Sequence, residues 1–463
     1  MRFPYLFVIF LLLALLTGFL IPQYSPSILF WGVLTLAIFI LSFINIEWGL
    51  YILIFSMLLS PEITVGQTTG ASLGRGVTLR FEDFLLIVIG LSWFAKNAVY
   101  KELGLFLKTP VNKAIFLFIL VCIVSTGLGI IGGRVDAKTG SLFVLKYFEY
   151  FIVFFMMINH VKDYAQVKRF IFCLFLTCFI TAIIGILQIP GGDRVSAPFE
   201  GETGEPNTLG GYLLFIGCIA AGLLNKAQDQ KVRKLLIFFI IVLIPPFLFT
   251  HSRASYLGLV PACMTLGFMA KRRIIILGLL IISFILSPLF LPTPVKKRIL
   301  YTFTQPKEAG QVTIGDIHFD TSTSARLVSW RDALKNWSKY PILGYGVTGY
   351  LFVDAQYPRV LNEIGIVGFI AFMYLLFSIF KLVLNNLKNV KTPHFKGLCI
   401  GFLAGYIGLL AHALGANTFI IVRIMEPFWF FVGIITVLPA LEHQTSSQLQ
   451  TDEVPRRKFA PVS

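Results

Sequence analysis

From Phe170 to Gly192 the chain carries no charged side chain, and runs of this kind recur along the whole sequence. About 20 consecutive apolar residues is what an α-helix needs to cross a bilayer, where every backbone N–H and C=O must find its partner within the segment. The runs are continuous rather than striped along one face, which separates them from the surface helices of a water-soluble core. A transmembrane β-barrel would instead read as short segments of alternating polarity. Composition agrees, with 56% of 463 residues hydrophobic and 13% charged. The expected fold is all-α, a polytopic transmembrane helix bundle.

About fourteen spans are expected, near residues 5–21, 28–44, 47–60, 84–95, 114–131, 143–158, 169–189, 208–224, 235–249, 254–270, 274–291, 363–381, 397–414 and 418–440. The first, in MRFPYLFVIFLLLALLTGFLIP, lacks a small-x-small cleavage site and is read as an uncleaved helix. Cytoplasmic loops collect Lys and Arg. Lys96, Lys101, Lys108 and Lys113 fall in one alternate loop, Lys162, Lys168 and Arg169 in the next, then Lys226, Lys231, Arg233 and Lys234, then Lys271, Arg272 and Arg273, then Lys381, Lys388, Lys391 and Lys396. This predicts a cytoplasmic N-terminus and a cytoplasmic C-terminus. The net charge of +16 is thereby a topogenic signal and gives no reason to invoke nucleic acid. All six cysteines lie inside apolar spans, without metal-ligand spacing, and are read as small core residues.

The expected divisions are an N-terminal bundle over 1–291, a large extracytoplasmic loop over 292–362, C-terminal spans over 363–440 and a disordered cytoplasmic tail over 441–463. Within the loop, TSTSARLVSWRDALKNWSKYP predicts a helix capped by Ser322 or Thr323 and ended by Pro341, with Leu327, Trp330, Leu334 and Trp337 on one face and Arg331, Lys335 and Lys339 on another. Such a helix either lies flat on the membrane or covers a site. Glu200, Glu202 and Glu205 are read as a solvated acidic loop rather than a cation site.

Ionisable groups at membrane depth mark cavities and substrate paths. Arg80, Glu82, Asp83, Lys146, Glu149, Arg194, Asn207, His251, Arg253, Arg326, Asp354, Arg359, Glu363, Arg423 and Glu426 all fall on the outer side of the expected topology. Arg80, Lys146 and Glu149 read as interface anchors or intramembrane ion pairs, His251 as a polar boundary residue and His412 as a hydrogen-bonded core histidine. Arg253, at the head of a span, is either a snorkelling anchor or a grip on an anion. Several arginines on one side suit a polyanionic headgroup, because the guanidinium fork pairs bidentately with phosphate. The residues alone lead no further than a site for an anionic lipid or solute.

Three stretches carry a resemblance: THSRASYLGL at 250–259, EPNTLGGYLL at 205–214, and YPILGYGVTGYLFVDAQYPRVLNEIGIVGF at 340–369 with its Glu-x-Gly-x-x-Gly ending. Their order and spacing resemble the superfamily of O-antigen ligases, O-antigen polymerases and related exopolysaccharide polymerases. The resemblance implies a GT-C-like membrane glycosyltransferase that moves oligosaccharide from an undecaprenyl pyrophosphate carrier to a glycan hydroxyl or lipid-linked acceptor at the outer face of the cytoplasmic membrane. It implies that Arg253 pairs with pyrophosphate, assisted by Arg326 and Arg80, without metal or cofactor. Asn207, Arg331 and Glu363 complete the candidate binding set, Glu363 standing either behind the site or at a helix start. Ligases of this family carry His-Asn nine residues before the motif Glu; here those positions are Asp354 and Ala355. Asp354 is therefore the candidate base, and the substitution leans toward a polymerase. Membrane lipids, a chain-length regulator and a flippase are further candidate partners.

Two rivals stay open. A polysaccharide flippase would show charges through the full membrane depth and two related halves, whereas here the charges gather on one side. A protein O-oligosaccharyltransferase would use the same chemistry on a protein hydroxyl.

Overall fold

A computed structural model describes residues 26–67, 76–100, 107–200, 204–270, 292–305, 311–314, 317–318 and 320–452, with three two-residue pieces between 273 and 282. In chain order the helices are α1 (Pro26–Ile44), α2 (Ile46–Leu59), α3 (Phe81–Tyr100), α4 (Asn112–Ile131), α5 (Ala137–His160), α6 (Tyr164–Gln188), α7 (Pro206–Lys226), α8 (Gln230–Phe249) and α9 (Arg253–Phe268). There follow α10 (Thr293–Thr304), α11 (Thr321–Trp337), α12 (Gln356–Asn389), α13 (Pro393–His412) and α14 (Val422–Asp452).

Eight of the described helices are long and apolar enough to cross a membrane: α4 to α8 and α12 to α14. The protein is a polytopic membrane helical bundle. The other described segments among the expected fourteen are shorter or carry charge. Helix α2 is apolar but has 14 residues, α9 has 16, and α3 carries Glu82, Asp83 and Lys96 within its 20. The expected span at 5–21 lies outside the described residues, and only short pieces of 274–291 are described.

Two short antiparallel ribbons were not foreseen by an all-α reading. Strand β1 (Glu62–Gln67) pairs with β2 (Gly76–Arg80), and β3 (Thr313–Ile314) pairs with β4 (Ile317–His318). Both lie in connecting segments and leave the helical architecture unchanged.

Small residues bring the central helices together. A Cβ on Gly222 of α7 would lie 2.2 Å from the Gly401 nitrogen of α13, and one on Gly258 of α9 would lie 2.6 Å from the Gly408 carbonyl of α13. Close backbone approach of this kind maximises van der Waals contact where lipid offers no hydrophobic driving force. Helix α13 is thus wedged between α7 and α9. The start of α7, the start of α9 and the end of α13 consequently share one end of the bundle.

The long loop returns to the membrane earlier than expected, since α12 begins at Gln356 rather than Glu363. Its helix breaks at Gly365, where φ is 66° and ψ is −169°. The groups freed by the break are taken up by the preceding loop: Tyr345 N–H donates to the Asn362 carbonyl (2.9 Å), Gly346 N–H to the Glu363 carbonyl (2.8 Å), and Ile366 N–H to the Pro341 carbonyl (2.9 Å). An interruption inside a membrane helix is stable only when protein groups satisfy it, as here. At the other end of the chain α14 continues to Asp452, so the expected tail begins as helix rather than disordered at 441; residues 453–463 lie outside the described residues.

Candidate active site at one end of the bundle

The stretch FLFTHSRASY folds as two helices meeting at a three-residue corner. Helix α8 ends at Phe249, Thr250 is its C-cap, and His251 turns the chain with a left-handed φ of 49°. Ser252 then caps α9, its hydroxyl accepting from Ser255 N–H at 3.2 Å. The corner is held from outside by Arg194, whose Nε donates to the Thr250 carbonyl at 3.0 Å. It is tied to α7 by Ser252 Oγ, which donates to Asn207 Oδ1 at 2.7 Å. Arg253 is therefore the first residue of α9, at a helix end whose exposed N–H groups favour a nearby anion.

In this structure the anion is a carboxylate of the same chain. Arg253 Nη1 donates to Asp320 Oδ1 at 2.8 Å and to Thr323 Oγ1 at 2.8 Å, and Nη2 donates to Asp320 Oδ2. Asp320 is also the N-cap of α11, accepting from Thr323 N–H at 3.0 Å. The cap is thus Asp320, not Ser322 or Thr323; a carboxylate both satisfies the free N–H groups and complements the helix dipole. Burial works against charge on Asp320, but the hydrogen bonds from Arg253 and Thr323 outweigh it and lower its pKa to about 2. Arg253 is neither snorkelling into water nor waiting bare: its side chain is 17% exposed and already grips an anion.

One turn further along α11, Arg326 Nη2 faces Asp354 Oδ2 at 3.4 Å, with side chains 23% and 30% exposed. The segment bearing Asp354 is pinned on both sides. Asn417 Nδ2 donates to the Val353 carbonyl at 2.9 Å, Gln356 N–H donates to the Ala413 carbonyl at 3.1 Å, and Phe419 N–H donates to Gln356 Oε1 at 2.9 Å. His412, at the end of α13, is hydrogen-bonded as expected, Nδ1 to Thr418 Oγ1 at 2.7 Å, and lies within electrostatic reach of Arg326. Asn207, Arg253, Arg326 and Asp354 are in this way gathered around the ends of α7, α9, α11 and α13.

Residues 238–373 match the O-antigen ligase family model. The matched segment takes in the α8–α9 corner, the long loop with α11, Asp354 and the interrupted start of α12, so it coincides with the site just described. It supports the superfamily of O-antigen ligases and polymerases and a membrane role of that type. No curated protein matches the chain.

Three other expected residues stand apart from this group. Glu363 is buried inside α12, where it pairs with Arg359 at 3.0 Å and accepts from Thr348 N–H at 3.2 Å. Together with Gly365 it fixes the loop on the broken helix. Arg331 is exposed and pairs with its neighbour Asp332 at 3.3 Å. Arg80 is buried and pairs with Glu82 at 3.2 Å, beside a second cluster in which Lys146 bridges Asp83 and Glu149. These are buried ion pairs, and no bond among the described residues joins Arg80 to Arg253.

Two features escaped the sequence reading. Asp320, the partner of Arg253, lies one residue before the helix signature at 321–341. Glu200 was placed in a solvated loop, yet it is buried and accepts from Glu205 N–H at 2.8 Å. Burial raises its pKa to about 8 against the pull of Arg423. The loop is drawn inward by Arg423, which donates to the Pro198 carbonyl (2.7 Å), the Phe199 carbonyl (3.2 Å), the Leu58 carbonyl (3.2 Å) and the Ser60 carbonyl (3.1 Å). Glu202 lies outside the described residues.

Proposed function

We propose that the protein is an inverting glycosyltransferase that transfers or polymerises oligosaccharide from undecaprenyl pyrophosphate onto a glycan hydroxyl. The observation that carries this reading is that α11 brings Arg326 beside the partly exposed Asp354 carboxylate while its cap, Asp320, is held by Arg253. Pyrophosphate takes the place of the Asp320 carboxylate on the Arg253 fork, and Arg326 adds a second positive charge. The acceptor oxygen attacks the anomeric carbon on the face opposite the leaving group. The bond from that carbon to the pyrophosphate oxygen breaks and its electron pair departs with the phosphate, where the arginines neutralise the developing charge. The hydroxyl proton passes to Asp354 as Arg326 turns from it toward the phosphate.

In this reading both termini are cytoplasmic, the site opens outward from the cytoplasmic membrane, and 292–362 is an extracytoplasmic loop that covers the reaction centre. The grouping of Arg253, Arg326, Asp354 and Arg423 at one end, with the expected cytoplasmic lysines at the other, supports this orientation.

The test is turnover by purified protein in nanodiscs with undecaprenyl pyrophosphate oligosaccharide, comparing wild type, Arg253→Ala and Asp354→Asn. Lengthened glycan in the wild type, reduced about 10²–10³-fold by Arg253→Ala as for loss of a charge-stabilising donor, is the expected result. Full activity of either variant at normal protein level would remove that residue from the reaction.

A further inference from the structure

At the end of the bundle opposite Arg253, where α2 and α6 begin, a groove of about 570 Å³ opens between these two helices. Its walls are aromatic: Trp48, Tyr51 and Phe55 from α2 face Phe172 from α6. Trp48 is 55% exposed and Phe172 62% exposed, so the groove is open along its length. Its rim is basic, formed by Lys168 and Arg169.

The helices on either side are locked together. Tyr51 packs on Phe170 with ring centroids 5.2 Å apart, and Arg169 donates to Glu47 through Nε and Nη2 (3.2 and 2.8 Å) and to Tyr51 Oη through Nε (3.0 Å). Glu47 offsets one of the two rim charges, yet the Arg169 side chain remains 51% exposed. Lys168 is held 4.2 Å above the Tyr164 ring, which keeps its ammonium at the rim. A preformed apolar trough ending in two ordered cations fits a molecule with a hydrocarbon chain and an anionic head.

We propose that this groove is a binding site for an anionic phospholipid. The acyl chain lies against Trp48, Phe55 and Phe172, and the phosphodiester meets Lys168 and the exposed edge of Arg169. A zwitterionic lipid would bring its own ammonium to the same two cations and bind less well. The site is independent of the reaction proposed above, because it lies at the other end of the bundle and shares no residue with it.

Trp48 supplies the measurement. Full-length protein is reconstituted with brominated phosphatidylglycerol or brominated phosphatidylcholine, each diluted in unlabelled phosphatidylcholine, and the Trp48 contribution to quenching is taken as wild type minus Trp48→Phe. The expected result is half-quenching at a roughly fivefold lower fraction of the anionic lipid, the effect of about 1 kcal/mol per basic side chain near an anionic surface. Lys168→Gln, which leaves the Arg169 link between the helices intact, should erase most of that preference. Equal quenching by both lipids would overturn the site, as would a preference that survives Lys168→Gln. Relief of quenching by undecaprenyl phosphate but not by unlabelled phosphatidylglycerol would overturn it in favour of the glycan carrier.

Discussion

The Asp320 carboxylate caps α11 and at the same time occupies both terminal nitrogens of Arg253, so one side chain holds the ends of two helices together. A phosphate that is to reach Arg253 must displace it. Asp320→Asn keeps a good N-cap but removes the charge, and donor affinity should rise by roughly tenfold as a charge-assisted pair no longer competes. KM for the lipid-linked donor is the readout. An unchanged KM would mean that the donor does not compete with Asp320.

Arg253→Lys preserves charge at the start of α9 and loses the planar fork. Activity should fall close to that of Arg253→Ala, while membrane insertion stays near wild type, because a point charge cannot reproduce two parallel hydrogen bonds. Near-normal turnover of the lysine variant would show that charge alone suffices.

The pKa of Glu200 is raised from 4.5 to about 8, so the folded protein binds a proton there more tightly than the unfolded chain does. Between those values stability must fall as pH rises, and the loss is complete above about 8. Glu200→Gln retains an oxygen for Glu205 N–H and should flatten this part of the profile, with its gain largest at alkaline pH. Denaturation midpoints across that pH range decide the point; a parallel shift at every pH would assign the gain to something other than the proton.

Gly365 sits in a conformation that only glycine adopts readily, and a Cβ there would stand 2.3 Å from the Ile342 carbonyl oxygen. Gly365→Ala should cost roughly 1–3 kcal/mol from the backbone strain alone, seen as a lower denaturation midpoint. Turnover should fall with it, since the segment bearing Asp354 enters the same helix. A variant as stable as wild type would show that the loop can yield without loss.

The spans were legible because lipid imposes a single rule on length and polarity, and α4 to α8 and α12 to α14 obey it. Helix α3 announced itself less clearly because Glu82 and Asp83 lie in its first turn, and α12 began before its expected start because Asn362 and Glu363 look like loop residues until Arg359 and the 341–346 turn satisfy them. The corner at 250–253 could be read locally, from Ser252 ahead of an apolar run. What it binds could not: Asp320 lies 67 residues away, and no local pattern links a capping carboxylate to a distant guanidinium. The ribbons β1–β2 and β3–β4 were missed for a related reason, since pairing across a polar connection leaves little apolar signature.

Arg423 also sets an order of assembly. Its four carbonyl partners lie near the ends of α2 and of the segment before α8's neighbour α7, and two of them were synthesised more than 360 residues earlier. Until α14 emerges from the ribosome and inserts, the Leu58, Ser60, Pro198 and Phe199 oxygens lack this shared donor. The bundle can thread its early helices in sequence, but this end is fastened only once residue 423 has been made. A chain stalled before residue 423 would lack all four of these bonds at once.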